Sequence, residues 1–135
     1  QFKDDEYQGL DPSILYLGLT APRSLIYERI NRRCEEMLAQ GLLEETLNLL
    51  KAGYSPALKP LQSIGYRHAL WQLQGLVTEG EMLRLLQRDT RHFAKRQLTW
   101  FRRDPRITWY DLETGSDVIL ESVVQACRAY QTRVK

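Results

Sequence analysis

Residues 90–103 read TRHFAKRQLTWFRR, and they form the second half of a long helix predicted over residues 79–103. Thr78 with Glu81 makes a capping-box pattern at the start, and Val77 with Met82 makes the hydrophobic staple that accompanies such a box. At about 100° per residue, the apolar side chains of this helix fall in one arc of about 120°. We expect this arc to be buried, and its members are Met82, Leu83, Leu86, Phe93, Ala94, Trp100 and Phe101.

The opposite side of the predicted helix is basic. Like charges three or four residues apart repel by a few tenths of a kcal/mol per pair, and a nucleic-acid backbone would offset that repulsion. A solvated basic face is the other interpretation, and the pattern leaves both open. The cations that align within about 60° on this side are Arg84, Arg88, Arg91, Lys95 and Arg102.

Two polar residues, Thr90 and Gln97, lie near the middle of the apolar arc. A buried polar group without a partner costs about 1–3 kcal/mol. We therefore expect these side chains either to bond to nearby backbone or to face a polar cavity that a ligand enters.

The string in residues 90–103 resembles a known family. Together with IGYR at residues 64–67 and ITWYD at residues 107–111, it is similar to the C-terminal part of the tRNA dimethylallyltransferases, also called tRNA isopentenylpyrophosphate transferases. The resemblance runs from about residue 14 to residue 111. It implies transfer of a dimethylallyl group from dimethylallyl diphosphate to N6 of the adenosine 3′ to the anticodon. It also implies a tRNA anticodon stem-loop as partner, magnesium as cofactor of the whole enzyme, and a cytoplasmic location.

Arg33 is the catalytic candidate. It falls in the apolar stripe of a helix predicted over residues 22–40, with Ile26, Ile30 and Met37, so it must pair with an acid or reach an anionic ligand. From the pattern alone an internal salt bridge is favoured. The resemblance reverses this preference, because the matching arginine of the family lies at the catalytic channel and is associated with the diphosphate. A guanidinium suits that role, since it makes paired hydrogen bonds to phosphate.

The remaining site predictions also follow from the resemblance. Gly65 interrupts a helix predicted over residues 60–74, which costs up to about 1 kcal/mol and indicates either tight helix packing or close approach of a ligand. His68 is expected to be a partly exposed helix residue, and no residue pattern predicts a metal site. The substrate-channel candidates are Thr90, Gln97, Gly65 and Tyr66. The tRNA-binding candidates are Arg67, Arg84, Arg88, Arg91, Lys95, Arg96, Trp100, Arg102 and Arg103.

The predicted fold is mainly α with a small parallel β pair, the C-terminal portion of a P-loop kinase-like α/β fold without its N-terminal half. Residues 14–19 are nearly continuously apolar, as in a strand covered on both faces, and residues 106–110 are the second strand. We expect residues 1–13 to be an irregular lead-in and residues 14–135 to be part of the transferase core. We expect a second copy or a displaced helix to cover the open strand edge.

Composition sets further limits. The chain has 135 residues, a net charge of +2 and only two cysteines, Cys34 and Cys127, which are too few for a disulfide framework or a zinc site. No apolar run approaches the roughly 18 residues that span a bilayer, so no membrane partner is expected. The P-loop motif G-x-x-x-x-G-K-[ST] of the family is absent, and the chain lacks an initiator Met. The expectation is therefore a piece of a longer enzyme, inactive alone. The alternatives are a helical RNA-binding module without catalytic activity and a structural or dimerisation domain.

Overall fold

The computed structural model describes residues 14–133, and the predicted lead-in over residues 1–13 lies outside the described residues. The described residues form two compact units, one from Pro22–Thr99 and one from residues 14–21 with residues 100–133. The strands are β1 (Leu17–Thr20) and β2 (Thr108–Asp111). The α-helices are α1 (Arg23–Ala39), α2 (Leu42–Lys51), α3 (Tyr66–Leu73), α4 (Glu79–Phe101) and α5 (Ser116–Arg133), and short 3-10 helices cover Lys59–Gln62 and Leu112–Thr114.

The start of α4 is the predicted one. The backbone N–H of Thr78 donates to the carboxylate of Glu81 at 3.0 Å, and the backbone N–H of Glu81 donates to the hydroxyl of Thr78 at 3.3 Å. Val77 packs against the core cluster that contains Met82. The capping box and the staple therefore fix where α4 begins.

The core of the helical unit takes buried side chains from α1, α2, α3 and α4. These side chains are Cys34, Leu42, Ala69, Met82 and Leu86, and none of them is more than 7% exposed. Burying a large apolar side chain contributes about 1.5–3 kcal/mol, so these few contacts hold the four helices together.

The predicted third helix is wrong in one respect. The chain forms a 3-10 helix at Lys59–Gln62 and begins α3 only at Tyr66, with Gly65 at the N-terminal cap in a conformation of φ +100°. Residues other than glycine rarely adopt this φ. A Cβ at Gly65 would meet Met37 only at 3.6 Å, an ordinary contact. Backbone conformation, rather than tight packing, therefore suffices to account for this glycine, and close approach of a ligand stays a prediction.

The apolar arc of α4 is buried only in its first half. Phe93 is 51% exposed, Trp100 is 55% exposed and Phe101 is 36% exposed, so the expectation that the whole arc is buried is wrong. The helix ends at Phe101, and Arg102 and Arg103 follow in a turn. The predicted row of aligned cations therefore loses its last member.

The two strands pair in parallel, with Leu17 opposite Thr108 and Leu19 opposite Tyr110. This confirms the predicted parallel pair and the mainly helical fold class. The strand is not covered on both faces, however, because Leu17 is 38% exposed and Leu19 is 58% exposed. Cover of this surface by a second copy or a displaced helix stays a prediction.

Gly18 provides a test of the strand packing. A Cβ at this position would lie 2.6 Å from the ring of Trp109 and 2.8 Å from Ile107. We expect Gly18→Ala to lower the free energy of unfolding by about 1–3 kcal/mol, as overpacking usually does. Equilibrium unfolding in urea measures this change.

The matched control is Gly80→Ala, because nothing lies within 4 Å of its added Cβ and the residue lies in α4. Alanine should raise stability there by up to about 1 kcal/mol. Equal effects of the two substitutions would contradict the packing of Trp109 on Gly18.

Candidate anion-binding cavity

A cavity of about 600 Å³ lies within the helical unit. Its size falls within the roughly 300–1,000 Å³ usual for small-molecule sites. Two helices supply most of its walls with residues three or four positions apart, so each helix presents one face. The lining residues are Ile30, Arg33, Cys34 and Met37 of α1, Leu86, Thr90 and Phe93 of α4, Ser63 and Ile64 before α3, and Arg67 of α3.

The walls are mostly apolar, and their charged members are the two arginines Arg33 and Arg67. Among the described residues, no carboxylate lines the cavity. Apolar walls accept a hydrocarbon, and guanidinium groups bind phosphate or carboxylate through paired hydrogen bonds. The cavity therefore suits a ligand with an apolar body and an anionic group.

Arg33 lies at the edge of the cavity rather than in the core. Its side chain is exposed, so the expectation that it is buried is wrong. The buried face of α1 contains Cys34, which is 2% exposed, and successive helical residues point about 100° apart. Among residues 14–133, Arg33 has no ion-pair partner, so the internal salt bridge is not formed either.

Thr90 both bonds to nearby backbone and faces the cavity, which were the two possibilities that the sequence left open. Its hydroxyl donates to the backbone carbonyl of Leu86 at 2.7 Å, and it also lines the cavity. The Cys34 thiol donates to the same hydroxyl oxygen at 3.9 Å. Burial raises the pKa of the Cys34 thiol, which favours the neutral thiol over the nucleophilic thiolate.

The other channel candidates do not line this cavity. Gln97 is exposed, so its expected burial is wrong. Tyr66 donates its phenol hydrogen to the carboxylate of Glu45, and this hydrogen bond raises the pKa of Tyr66. Gly65 is buried at the start of α3. Their assignment to a substrate channel stays a prediction.

The cations of α4 are not all available to a partner. Arg84, Lys95 and Arg96 are exposed, and Arg88 is exposed but also pairs with Asp89. Arg91 instead donates to the side-chain oxygen of Asn31 at 2.6 Å, and its guanidinium lies 5.9 Å from the ring centre of Tyr27. Arg91 therefore also ties α4 to α1.

Sequence reasoning missed a polar cluster around Asp89. The carboxylate of Asp89 accepts hydrogen bonds from Arg67 at 2.9 Å and from His68 at 3.1 Å on one oxygen, Oδ2. Its other oxygen, Oδ1, accepts from Arg88 at 2.8 Å. His68 is 0% exposed, so the expectation of a partly exposed histidine is wrong. The only available signal was that Asp89 is the one acid among the cations of residues 84–103.

The contacts of His68 define its protonation. The backbone N–H of Gly65 donates to Nδ1 at 3.3 Å, so Nε2 carries the proton that is donated to Asp89. Burial lowers the pKa of His68, and the charges of Arg67 and Arg88 act in the same direction against the opposing effect of Asp89. Burial alone would raise the pKa of Asp89, but the hydrogen bonds from Arg88, His68 and Arg67 lower it overall. The cluster thus holds a neutral histidine beside an ionised carboxylate.

The described part of the chain contains neither a membrane-spanning helix nor a metal-binding cluster. None of its helices is both long and apolar enough to cross a membrane. Residues 14–133 also bring together no three histidine, cysteine or acidic side chains that could hold a metal. Because the cavity walls carry arginines and no carboxylate, they do not fit the magnesium ion that the family resemblance implies.

Comparisons with known proteins agree with the fold. The sequence model of a family described as IPP transferase matches residues 1–104. The chain belongs to this family. The match covers more than half of the chain and confirms the family resemblance, with residues 64–67 and 90–103 inside the matched range and residues 107–111 beyond it.

The following individual relatives match between 73% and 98% of the chain. A tRNA dimethylallyltransferase of Desulfitobacterium hafniense is 66% identical over 134 residues, which are 98% of this chain and 43% of that protein. One of Carboxydothermus hydrogenoformans is 49% identical over 73% of this chain and 31% of that protein. The solved full-length tRNA isopentenylpyrophosphate transferase of Bacillus halodurans superimposes with a TM-score of 0.86 at 32% identity, covering 96% of this chain and 43% of that one. The chain therefore spans less than half the length of these relatives.

The buried histidine makes stability depend on pH. The ordinary pKa of histidine is 6.5, and that of folded His68 is lower, so the folded protein disfavours the protonated form. Stability should be complete above about pH 6.5 and should fall, as pH drops through this value, by at most about 1.4 kcal/mol per pH unit. We expect His68→Gln to remove this loss between about pH 7 and pH 5.5, measured by urea unfolding.

The control is His92→Gln, because His92 is exposed. It should leave the pH dependence of unfolding unchanged. The acid effect of Asp89 belongs to a lower range, since its folded pKa lies below the ordinary 3.8. A wild-type pH dependence that persists in His68→Gln would contradict the buried neutral histidine.

Proposed function

We propose that this chain supplies part of the substrate cavity and the tRNA-binding surface of a tRNA dimethylallyltransferase. The reaction is transfer of a dimethylallyl group from dimethylallyl diphosphate to N6 of the adenosine 3′ to the anticodon. One observation carries the proposal, namely a cavity with apolar walls and two guanidinium groups in a chain of the IPP transferase family. The chain covers 43% of such relatives as the Desulfitobacterium hafniense enzyme, so the activity belongs to the whole protein in this proposal.

Arg33 binds the diphosphate in this proposal. In the transfer step the bond between the allylic carbon and the diphosphate oxygen breaks, a bond to N6 forms, N6 gives up one proton to a base or to water, and negative charge accumulates on the leaving diphosphate. A guanidinium stabilises such charge through paired hydrogen bonds. Arg33 is exposed at the cavity and has no acidic partner in the described part of the chain, so its donors are available.

The chain's own residues complete only part of the site. Ile30, Met37 and Phe93 provide apolar walls for the dimethylallyl group. The described lining of the cavity has no carboxylate to serve as a base or as a magnesium ligand, and the sequence contains no P-loop motif. The proposal therefore assigns this chain binding and charge stabilisation, and it passes no step through a metal.

The tRNA surface is the exposed basic side of α4. Phosphate contacts by lysine and arginine supply sequence-independent affinity, and exposed aromatic rings can stack on unpaired bases. Trp100 is such a ring, since it is 55% exposed. The cations assigned to this surface are Arg84, Arg88, Lys95 and Arg96, with Arg102 and Arg103 beyond the end of the helix. A cytoplasmic location follows from this proposed substrate.

The cavity also bears on the alternative of a stand-alone RNA-binding module. Burial of Arg33 and Gln97 would have argued against that module, but both side chains are exposed. Binding of a nucleic-acid backbone needs a charged surface and no cavity of about 600 Å³. The cavity therefore favours a small-molecule substrate in addition to RNA.

The test of the diphosphate site compares two neighbouring arginines. Arg33→Gln should weaken binding of dimethylallyl diphosphate by about tenfold or more, because a charge-assisted contact is lost. Arg32→Gln removes the same charge one position away, from a side chain that is 70% exposed and pairs with Glu36 at 3.6 Å. It should have little effect in the same calorimetric titration. Equal losses would show a general charge effect and contradict a specific role of Arg33.

The test of the tRNA surface uses salt dependence. The double variant Arg84→Gln and Lys95→Gln should bind an anticodon stem-loop more weakly, and the log–log slope of affinity against salt should become shallower by about 0.7–0.9 per lost phosphate contact. The matched control, Lys51→Gln with Lys59→Gln, removes two exposed charges away from α4. An unchanged slope in the α4 variant would identify a merely solvated face.

A further inference from the structure

Arg67 has an unusual position. It lines the cavity together with Arg33, yet its Nη2 donates to the carboxylate of Asp89 at 2.9 Å. Its Nε is buried without a hydrogen-bond partner among the described residues. Its guanidinium carbon also lies 5.8 Å from the ring centre of Trp71. A guanidinium carries several N–H donors, so Arg67 retains donor capacity after it has paired with Asp89.

The carboxylate that holds Arg67 is itself held from two sides. Its Oδ2 accepts from His68 as well as from Arg67, and its Oδ1 accepts from Arg88. His68 cannot turn away easily, because it is 0% exposed and accepts the backbone N–H of Gly65 on its other nitrogen. A chain of contacts thus runs from the backbone of Gly65 to the guanidinium of Arg67.

We propose that Asp89 and His68 are positioning residues that hold Arg67 as a second anion-binding guanidinium of the cavity, beside Arg33. The inference rests on the proposed function and gives the diphosphate group a second contact on α3. It also moves Arg67 from the predicted tRNA-binding set to the diphosphate. Arg33 and Arg67 come from different helices, so an anion between them would be bound from two directions.

Arg33 and Arg67 differ in how far their side chains are ordered before an anion binds. Arg33 is exposed and has no ion-pair partner in the described part of the chain, so it loses side-chain freedom when it binds. Arg67 is already held by Asp89 and by the ring of Trp71. A side chain ordered in advance loses less freedom on binding, which is the advantage of preorganisation.

The direction in which Asp89→Asn changes the affinity for an anion distinguishes two roles of Asp89. If Asp89 acted only through its charge, then Asp89→Asn would remove a repulsive negative charge near the cavity and tighten binding of an anion. If Asp89 positions Arg67, the same variant weakens binding, because the neutral carbonyl of asparagine holds Arg67 less strongly than a carboxylate does and the amide NH2 cannot accept from Arg88. The two roles therefore predict opposite changes.

The experiment measures the dissociation constants of inorganic diphosphate and of dimethylallyl diphosphate by calorimetry. We expect Arg67→Gln and Asp89→Asn each to weaken both ligands by about tenfold. We expect Asp89→Asn to have little further effect in a chain that already carries Arg67→Gln, because Asp89 acts through Arg67. His68→Gln should weaken binding in the same direction, and it replaces Asp89→Asn if that variant does not fold. The charge-matched control is Arg29→Gln, an exposed residue of α1 outside the cavity lining.

The outcomes separate this inference from the proposed function. Tighter or unchanged binding in Asp89→Asn, with Arg33→Gln still weakening both ligands, overturns the positioning role and leaves the diphosphate site intact. Loss of stem-loop affinity in Arg67→Gln without loss of diphosphate affinity returns Arg67 to the tRNA surface. Failure of both ligands to bind the wild-type chain, or an Arg33→Gln variant that binds them as well as Arg29→Gln does, overturns the proposed function and the inference with it.

Discussion

The packing of Met82 and Leu86 against the other helices is the interaction on which the helical unit depends. Both side chains are at most 1% exposed, and they share one cluster with Cys34 and Ala69. One turn further along α4, at Thr90, the same face lines the cavity. The core and the cavity therefore adjoin along one helix face, and Leu86 belongs to both. The capping box at the start of α4 decides which residues fall in each part.

Sequence periodicity could predict the direction in which a side chain points but not how deeply it is buried. Gln97 points to the same side of α4 as Leu86, yet Gln97 is exposed while Leu86 is buried. Arg33 was assigned to the apolar stripe of α1, but the buried face contains Cys34 and leaves Arg33 at its border. Short-range signals succeeded where the partner lies nearby in the chain, as at the start of α4. The parallel pairing of β1 with β2 was also predictable, because each strand had only one candidate partner.

The cluster around Asp89 was beyond prediction for a different reason. His68 and Asp89 are 21 residues apart, and their contact exists only because α3 and α4 lie side by side. The interpretation of residues 60–74 as one helix also predicted the wrong surroundings for His68. The helix instead begins after Gly65, and the backbone N–H of Gly65 donates to the imidazole of His68. A glycine in a helical pattern is compatible with a kink, a cap or a close contact. Only the φ of +100° distinguishes the cap from the other two.

The composition of the Asp89 cluster indicates that its role is to orient the Arg67 guanidinium rather than to stabilise the fold. Buried ion pairs are weak stabilisers, and apolar side chains of similar volume often serve as well. An apolar cluster could not orient a guanidinium, whereas a carboxylate accepting on both oxygens fixes its donors in space. The charges also matter, because Arg67 and Arg88 outnumber the single carboxylate of Asp89 and His68 is neutral. The cluster therefore remains positive after all its pairs are formed, and the arginine that it holds toward the cavity keeps its attraction for an anion.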